Sequence, residues 1–482
     1  MKKMIITSYS SRLRGSIKLL ILIPLFALTT SCEKLLEVDT PPASLLKSQV
    51  FADDATAQAA VRGIYSYLMS SYSVNGFHTA WRAGLSADEL TYFGTSNPDI
   101  KAFEDYNILA DDSNISQYWN YAYTTIYRAN NVIENLEASS ELSEAAKAQF
   151  AGEAKFLRAF LYFYLVNFHG DVPMVTSTDY LTNSKMARTP SETIYQQMIT
   201  DLNDAIELLP AAYPTSGRYR ANKAVASALL ARVYLYQGKW AEAETTATAV
   251  LGNTTDYALV ALSGITLPGN KEAIWQIPNF NNNIYTNEGY CFYGALYNSA
   301  NQIELRSDFV GTTTLPGVFE NGDARKAAWV HYDRYYKSHW VQFKYRSYTT
   351  TTSIPDGNRK ENSTVLRLAE QYLIRAEARA QQNKLSLAIA DVDVIRARAG
   401  LPLIANTNPG ISKTALLDAI MQERRVELFN EWGHRWFDLK RTGKAMSVLG
   451  AMKPGLTAND LLYPIPASEL NRDPFLEQNP GY

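Results

Sequence analysis

Cysteine is nearly absent from this chain: 482 residues contain two, Cys32 and Cys291. A disulfide framework is therefore excluded, and the fold must be held by a buried core. Histidine is scarce as well, five residues scattered from His78 to His434, and none stands in an HExxH spacing. Charge of one sign is also lacking. The formal net charge is −2, so there is no basic field of the kind that draws a protein to nucleic acid or to an anionic membrane surface. GxSxG, the P-loop and GxGxxG at a strand-to-helix turn are all missing. A carboxylate pair of the glycosidase type is defined only in space, so sequence leaves it open.

Long apolar runs are missing apart from Leu19–Leu28, which follows Lys2, Lys3, Arg12, Arg14 and Lys18 and precedes Thr29-Thr30-Ser31-Cys32. Residues 1–31 thus read as a secretory signal peptide whose apolar run is too short to remain as a membrane-spanning helix. Cys32 is the expected lipidation site, acylated as the new N-terminus of a bacterial lipoprotein. The usual lipobox leucine three residues earlier is Thr29 here, with Leu28 one step before it. Each acyl chain adds ~0.8 kcal/mol per buried methylene, so several on one cysteine anchor the chain effectively permanently. Residues 32–50, with Pro41-Pro42, read as an extended lipid-anchored tether.

What the chain has in plenty is aromatic residues, 31 of them tyrosine, and helical periodicity. Asp53-Asp54 caps a predicted helix through Leu68; others are predicted at Ser116–Leu136, Ser143–Phe168, Ser191–Leu209, Ala221–Tyr236, Ala241–Leu251, Val365–Gln382, Ser386–Ala399 and Ser412–Leu439. ARVYLYQGKWAEA at Ala231–Ala243 and AEARAQQNKLSLA at Ala376–Ala388 match at both end alanines, the glutamine and the lysine. Each places a tight turn, at Gly238 or Asn383, between two helices, which is a tetratricopeptide-like arrangement; Leu157-Arg158-Ala159 opens a degraded third copy. The predicted fold is mainly α, an array of such helix pairs. It divides into a helical part over residues 51–252, a loop-rich insertion over 253–362 and C-terminal helices with a terminal loop over 363–482.

A sugar ring offers an apolar face that stacks on aromatic rings and a hydroxyl edge that needs amide, acidic or guanidinium partners. The insertion supplies both kinds, and Ser71–Asn114 is a second loop-rich stretch. Composition there selects Trp81, Arg82, Tyr92, Asn283, Tyr285, Tyr290, Trp329, Tyr332 and Trp340 as candidate ligand-binding residues. No catalytic residue, metal ligand or cofactor is predicted. Gln422–Arg441, QERRVELFNEWGHRWFDLKR, carries a buried stripe with Leu428, Trp432 and Trp436, and beside it a ladder of expected pairs, Glu431–Arg435, Arg424–Glu427 and Arg435–Asp438. His434 is read as a structural partner and Arg425, within the stripe, as needing a buried counter-ion.

Seven segments, in order, resemble the SusD/RagB family. They include VDTPPASLLKSQVFADDATAQAAVRGIY near the start, GEAKFLRAFLYFYLVNFHGDVPMV at Gly152–Val175, RLAEQYLIRAEA at Arg367–Ala378, ERRVELFNEWGHRWFDLKRTG at Glu423–Gly443 and the ending YPIPASELNRDPFLEQNPGY. The resemblance implies a surface-exposed outer-membrane lipoprotein, not an enzyme, that captures a glycan and delivers it to a SusC-like TonB-dependent transporter. It also implies ligand contacts near Trp81 and within Tyr285–Trp340. A peptide ligand is the alternative within the family, and a surface glycoside hydrolase or a purely structural lid are the alternatives outside it.

Overall fold

The computed structural model describes residues 50–68, 74–94, 97–278, 286–293, 295–297, 303–305, 309–312, 315–332, 340–347 and 360–482. The signal peptide, Cys32 and the tether before Val50 lie outside the described residues, as do Asn283 and Tyr285. Helices of eight residues or more are numbered below. Helix α1, Asp54–Leu68, starts where expected, with the Thr56 amide donating to the Asp53 carboxylate at 2.8 Å. The stretch Ser71–Asn114, expected as loop, contains α2 (Gly76–Ser86), strand β1 (Leu90–Tyr92) and α3 (Pro98–Asp105). Its asparagines are caps: the Asn75 side chain accepts from the His78 amide, and Asn97 accepts from Asp99 and Ile100. Polar caps on short helices read as loop because the helices are too short to show a period.

Two long helices follow, α4 (Ser113–Ala138) and α5 (Glu144–His169), then α6 (Ser191–Leu208), α7 (Lys223–Tyr236) and α8 (Trp240–Leu251). Buried pairs pin them together: Arg158 to Asp201 at 2.6 Å joins α5 to α6, and Glu153 of α5 holds Arg220 at 2.6 Å just before α7. Beyond the insertion come α9 (Leu368–Gln381) and α10 (Leu385–Arg398). The repeat is real in three dimensions. Gly238 (φ 64°) and Asn383 (φ 60°) occupy equivalent left-handed positions in the α7–α8 and α9–α10 turns. Ala231, Ala243, Ala247 and Ala378 share one buried cluster with Leu235 and Ile374. Ala376, Ala380 and Ala388 share the next with Val392, Leu416 and Ile420. Small side chains let the helices approach closely, so the alanines carry the stacking.

Among the described residues strands are few and mostly short. β2 (Ala273–Ile277) pairs antiparallel with β8 (Ser363–Arg367), from Ala273 opposite Arg367 to Ile277 opposite Ser363, and both are wholly buried. The predicted helix from Val365 therefore begins later, at Leu368, because Ser363–Arg367 is a strand in which Thr364 and Leu366 pair with Gln276 and Trp275. β3 (Ala295–Tyr297) pairs with β4 (Ile303–Leu305). A four-stranded sheet runs β1–β5–β7–β6, with β5 at Phe309–Gly311, β6 at Val330–Tyr332 and β7 at Trp340–Gln342. Thr91 opposite Val310 ties the N-terminal part to the insertion through this sheet.

The predicted helix Ser412–Leu439 is two helices, α11 (Lys413–Glu427) and α12 (His434–Arg441). Asn430, Trp432 and Gly433 all take positive φ, 51°, 47° and 75°, so the chain turns sharply between them. The expected pairs do not form: the turn parts Glu431 from Arg435, while Glu427 and Asp438, each inside one helix with its expected partner, are taken by other cations. Glu427 meets Arg367 at 2.5 Å and Arg325 at 3.1 Å, and also Arg398; Glu431 meets Lys344 at 2.6 Å and Arg367 at 2.8 Å. Asp438 takes Arg424 and Arg441, each at 2.8 Å. The cations arrive from the insertion (Arg325, Lys344), from β8 (Arg367) and from α10 (Arg398). Arg425 finds the counter-ion it needed in Asp88, 2.6 Å away, which Arg435 shares at 2.7 Å.

Candidate functional site: an aromatic surface where the insertion meets helix α2

The short helix Asn287–Phe292 abuts the N-terminus of α2, and the contact depends on a glycine. A side-chain carbon at Gly76 would collide with the Glu288 carboxylate and the Ser363 hydroxyl. Glu288 is fully buried and accepts from Ser363 at 2.5 Å; burial raises its pKa above the ordinary carboxylate value. Thr286 caps the same helix by accepting from the Gly289 amide at 3.1 Å. The helix is thus held at its N-terminal end, and it brings Phe292 to within 5.2 Å of the Phe77 ring, edge to face.

Rings continue from there in both directions. Phe77 lies 5.1 Å from the His78 ring, and Trp81 Nε1 donates to His78 Nδ1 at 3.3 Å, orienting the imidazole. After Phe292, Tyr293 packs 4.7 Å from Phe343 and 5.5 Å from His331. The Arg346 guanidinium sits 4.8 Å over the Phe343 ring. Phe292 and Tyr293 are buried, whereas Phe77, His78, His331, Phe343 and Arg346 are half-exposed and Tyr290 is exposed. The outcome is a row of ring faces over a buried aromatic base, edged by imidazole and guanidinium donors. Glu361 lies beneath, where it accepts from the amides of Arg346 and Ser347, each at 2.7 Å, and from Thr266. Among the described residues no group of three or more His, Cys, Asp or Glu is placed to hold a metal ion.

The residues selected from composition separate into four groups. Trp81 (2% exposed), Arg82 (3%), Tyr92 (5%) and Trp329 (1%) are interior, and a ring must show a face to stack on a sugar. Arg82 lies 4.3 Å over Trp81 and donates to the carbonyls of His78 and Asn114; Trp329 donates to the Leu262 carbonyl at 2.9 Å. The Lys344 ammonium sits 4.4 Å from the Trp329 ring, and burial brings that lysine down to about 8. Tyr332 and Trp340 do come together, opposite each other on β6 and β7 with rings 4.8 Å apart. Lys326 is 6.0 Å from the Trp340 ring. Tyr290 is exposed on the Asn287–Phe292 helix beside the row, and Asn283 and Tyr285 fall outside the described residues. Composition passed over Phe77, His78, Phe343 and Arg346. Phe77-His78 carried one signal, an aromatic pair just after an asparagine cap.

Helix pairs carrying a loop-rich face of exposed rings define a class of protein, and comparison with known proteins gives the class a name. Residues 278–482 match the SusD family model, and residues 44–235 match one described as starch-binding associating with outer membrane. A SusD-like protein of Formosa agariphila is 30% identical over 97% of this chain and 99% of its own length. One from Bacteroides ovatus is 26% identical over 88% and 82%. Among solved structures, a laminarin-binding SusD-like protein superposes with a TM-score of 0.75 at 28% identity, covering 90% of this chain and 100% of that one. A SusD superfamily protein from Bacteroides vulgatus ATCC 8482 shares the fold, with a TM-score of 0.76 at 21% identity over 90% and 100%. The chain belongs to the SusD/RagB family.

Proposed function

We propose that this protein is a surface lipoprotein, anchored through Cys32, that captures an oligo- or polysaccharide on the row of rings along α2 and delivers it to a SusC-like TonB-dependent transporter. The observation that carries the reading is that row. Phe77, His78, Tyr290, Phe343 and Arg346 offer ring faces for the apolar side of a sugar and donors for its hydroxyl edge, around the buried Phe292 and Tyr293. The laminarin-binding neighbour supports a glycan as the ligand class. Tyr332 and Trp340 form a second, smaller contact for a longer chain. The carboxylates beneath the main row, Glu288 and Glu361, are buried and hydrogen-bonded, which favours binding without hydrolysis. Family membership, and the family description's association with the outer membrane, support the location; among the described residues no helix is long and apolar enough to cross a membrane.

Calorimetric titration of soluble protein beginning at residue 33 against a polysaccharide panel tests the proposal. Saturable binding to one glycan class, with no reducing sugar released over hours, is expected. Sustained release would overturn the non-catalytic reading, and saturable binding to peptides alone would overturn the glycan.

A further inference from the structure

Lined by none of the residues of the aromatic row, a cavity of about 590 Å³ lies where the end of α5, the start of α6 and the end of α12 meet. Its lining includes Asn167, Asp171, Arg188, Tyr195, Tyr236 and Lys440. Hydrogen-bond donors outnumber acceptors there. Lys440 donates to the Asn167 carbonyl at 2.5 Å and lies 5.5 Å from the Trp436 ring; among the described residues it makes no ion pair with a carboxylate. Arg188 uses three of its five N–H groups, on the Asp171 and Glu477 carbonyls and on Asn479 Oδ1. Tyr195 Oη accepts from Asn167 Nδ2 at 2.9 Å, so its own proton is available. The Tyr236 hydroxyl is buried with no hydrogen-bond partner.

Two acids face Arg188, Asp171 and Glu477; Asp171 Oδ1 is engaged at the start of α6, where it accepts from the Ser191 amide and hydroxyl at 2.7 and 2.6 Å. Arg441 also lines the cavity, but Glu377 and Asp438 neutralise it at 2.6 and 2.8 Å. What remains is a half-buried ammonium without a counter-ion, two spare guanidinium hydrogens and two phenol hydrogens. A buried cation in such surroundings is unfavourable until something pairs with it. Burial pushes Lys440 down to about 7, the response of an ammonium without an anion.

We propose that this cavity is a second binding site, specific for a compact oxyanion, a carboxylate or sulfate group, held by Lys440 and Arg188 with the hydroxyls of Tyr195 and Tyr236. The volume lies within the ~300–1,000 Å³ of small-molecule sites, so the oxyanion can be a free ion or the acidic substituent of a sugar. This site shares no residue with the aromatic row.

The test is titration of the soluble chain with sodium sulfate, with sodium acetate, and with a sulfated oligosaccharide beside its desulfated form, all at ionic strength held constant with chloride. Saturable binding weakened roughly tenfold or more by Lys440→Met and by Arg188→Met is expected, since each removes a charged hydrogen-bond partner. Tyr236→Phe deletes one hydroxyl, leaves the fold intact, and should weaken the same ligands by a smaller factor. Lys440-dependent binding of sulfate or acetate assigns the site to free ions, and binding of the sulfated sugar only assigns it to a substituent. Neutral-glycan affinity measured in parallel should be unchanged in all three variants. If no anion binds, or if it binds equally well to the three variants, the proposal is wrong.

Discussion

Asp88 receives two guanidinium groups, and the pair is asymmetric: Arg435 is nearly buried, while Arg425 keeps a fifth of its side chain exposed. Removing the shared acid should therefore do more harm than removing either base. Asp88→Ala leaves two cations facing each other in the interior and is expected to lower unfolding free energy by about 3–5 kcal/mol. Arg425→Ala leaves Asp88 paired with Arg435 and should cost only about 1 kcal/mol; urea denaturation of both variants checks the order. Next along the chain, Glu89 is buried and accepts from the Asn430 amide at 3.0 Å. Burial raises it from 4.5 to about 7. Between those values the folded state holds a proton that the unfolded chain releases, so this group's contribution to stability is full below pH 4.5 and is lost as pH rises through 7. A decline of about 3 kcal/mol across that window, absent in Glu89→Gln, is the expected signature in denaturation curves taken at several pH values. In sequence Asp88 is one of the marked residues of the loop-rich stretch Ser71–Asn114, without a partner assigned, and Glu89 does not stand out, because an acid in a loop looks like solvated charge.

Among the elements, the helix pairs were legible and the break between α11 and α12 was not. Period and punctuation announced α4 to α10, since an alanine stripe, a turn residue and an apolar restart are local signals. The turn at Leu428–Gly433 is imposed by distant groups: Trp432 Nε1 donates to the Thr364 carbonyl and the Asn430 amide to Glu89. A tryptophan at φ 47° is held by such contacts against its own preference. The same logic hid the strand at Ser363–Arg367, which exists only because β2 lies beside it. The two tight turns provide a matched test. Gly238→Ala adds a side chain at φ 64° and should cost about 1 kcal/mol, while Asn383→Gly at φ 60° should be nearly neutral. Thermal unfolding of the pair reads the difference.

Over the whole molecule, Gln422–Arg441 is the junction through which the parts are joined. Its acids take Arg325 and Lys344 from the insertion, Arg367 from β8 and Arg398 from α10, and its arginines reach back to Asp88. Sequence showed the charges and the buried stripe, and family resemblance showed their company. The partners stayed hidden because each lies 29 residues or more away, up to 347 for Arg435 and Asp88. The candidate ligand surface was legible only as a neighbourhood. Composition marks where aromatic residues concentrate, but burial decides which of them face outward, and it sends Trp81 and Trp329 inside while leaving Phe77, Tyr290 and Phe343 at the surface. The most direct measurement is calorimetric affinity for the glycan that the soluble chain binds, compared across Tyr290→Ala, Phe343→Ala and the distant Tyr180→Ala, which is exposed on another element. Loss of one stacking ring should weaken binding roughly tenfold in the first two and leave the third unchanged. Undiminished affinity in both Tyr290→Ala and Phe343→Ala, with the fold intact, would contradict the account.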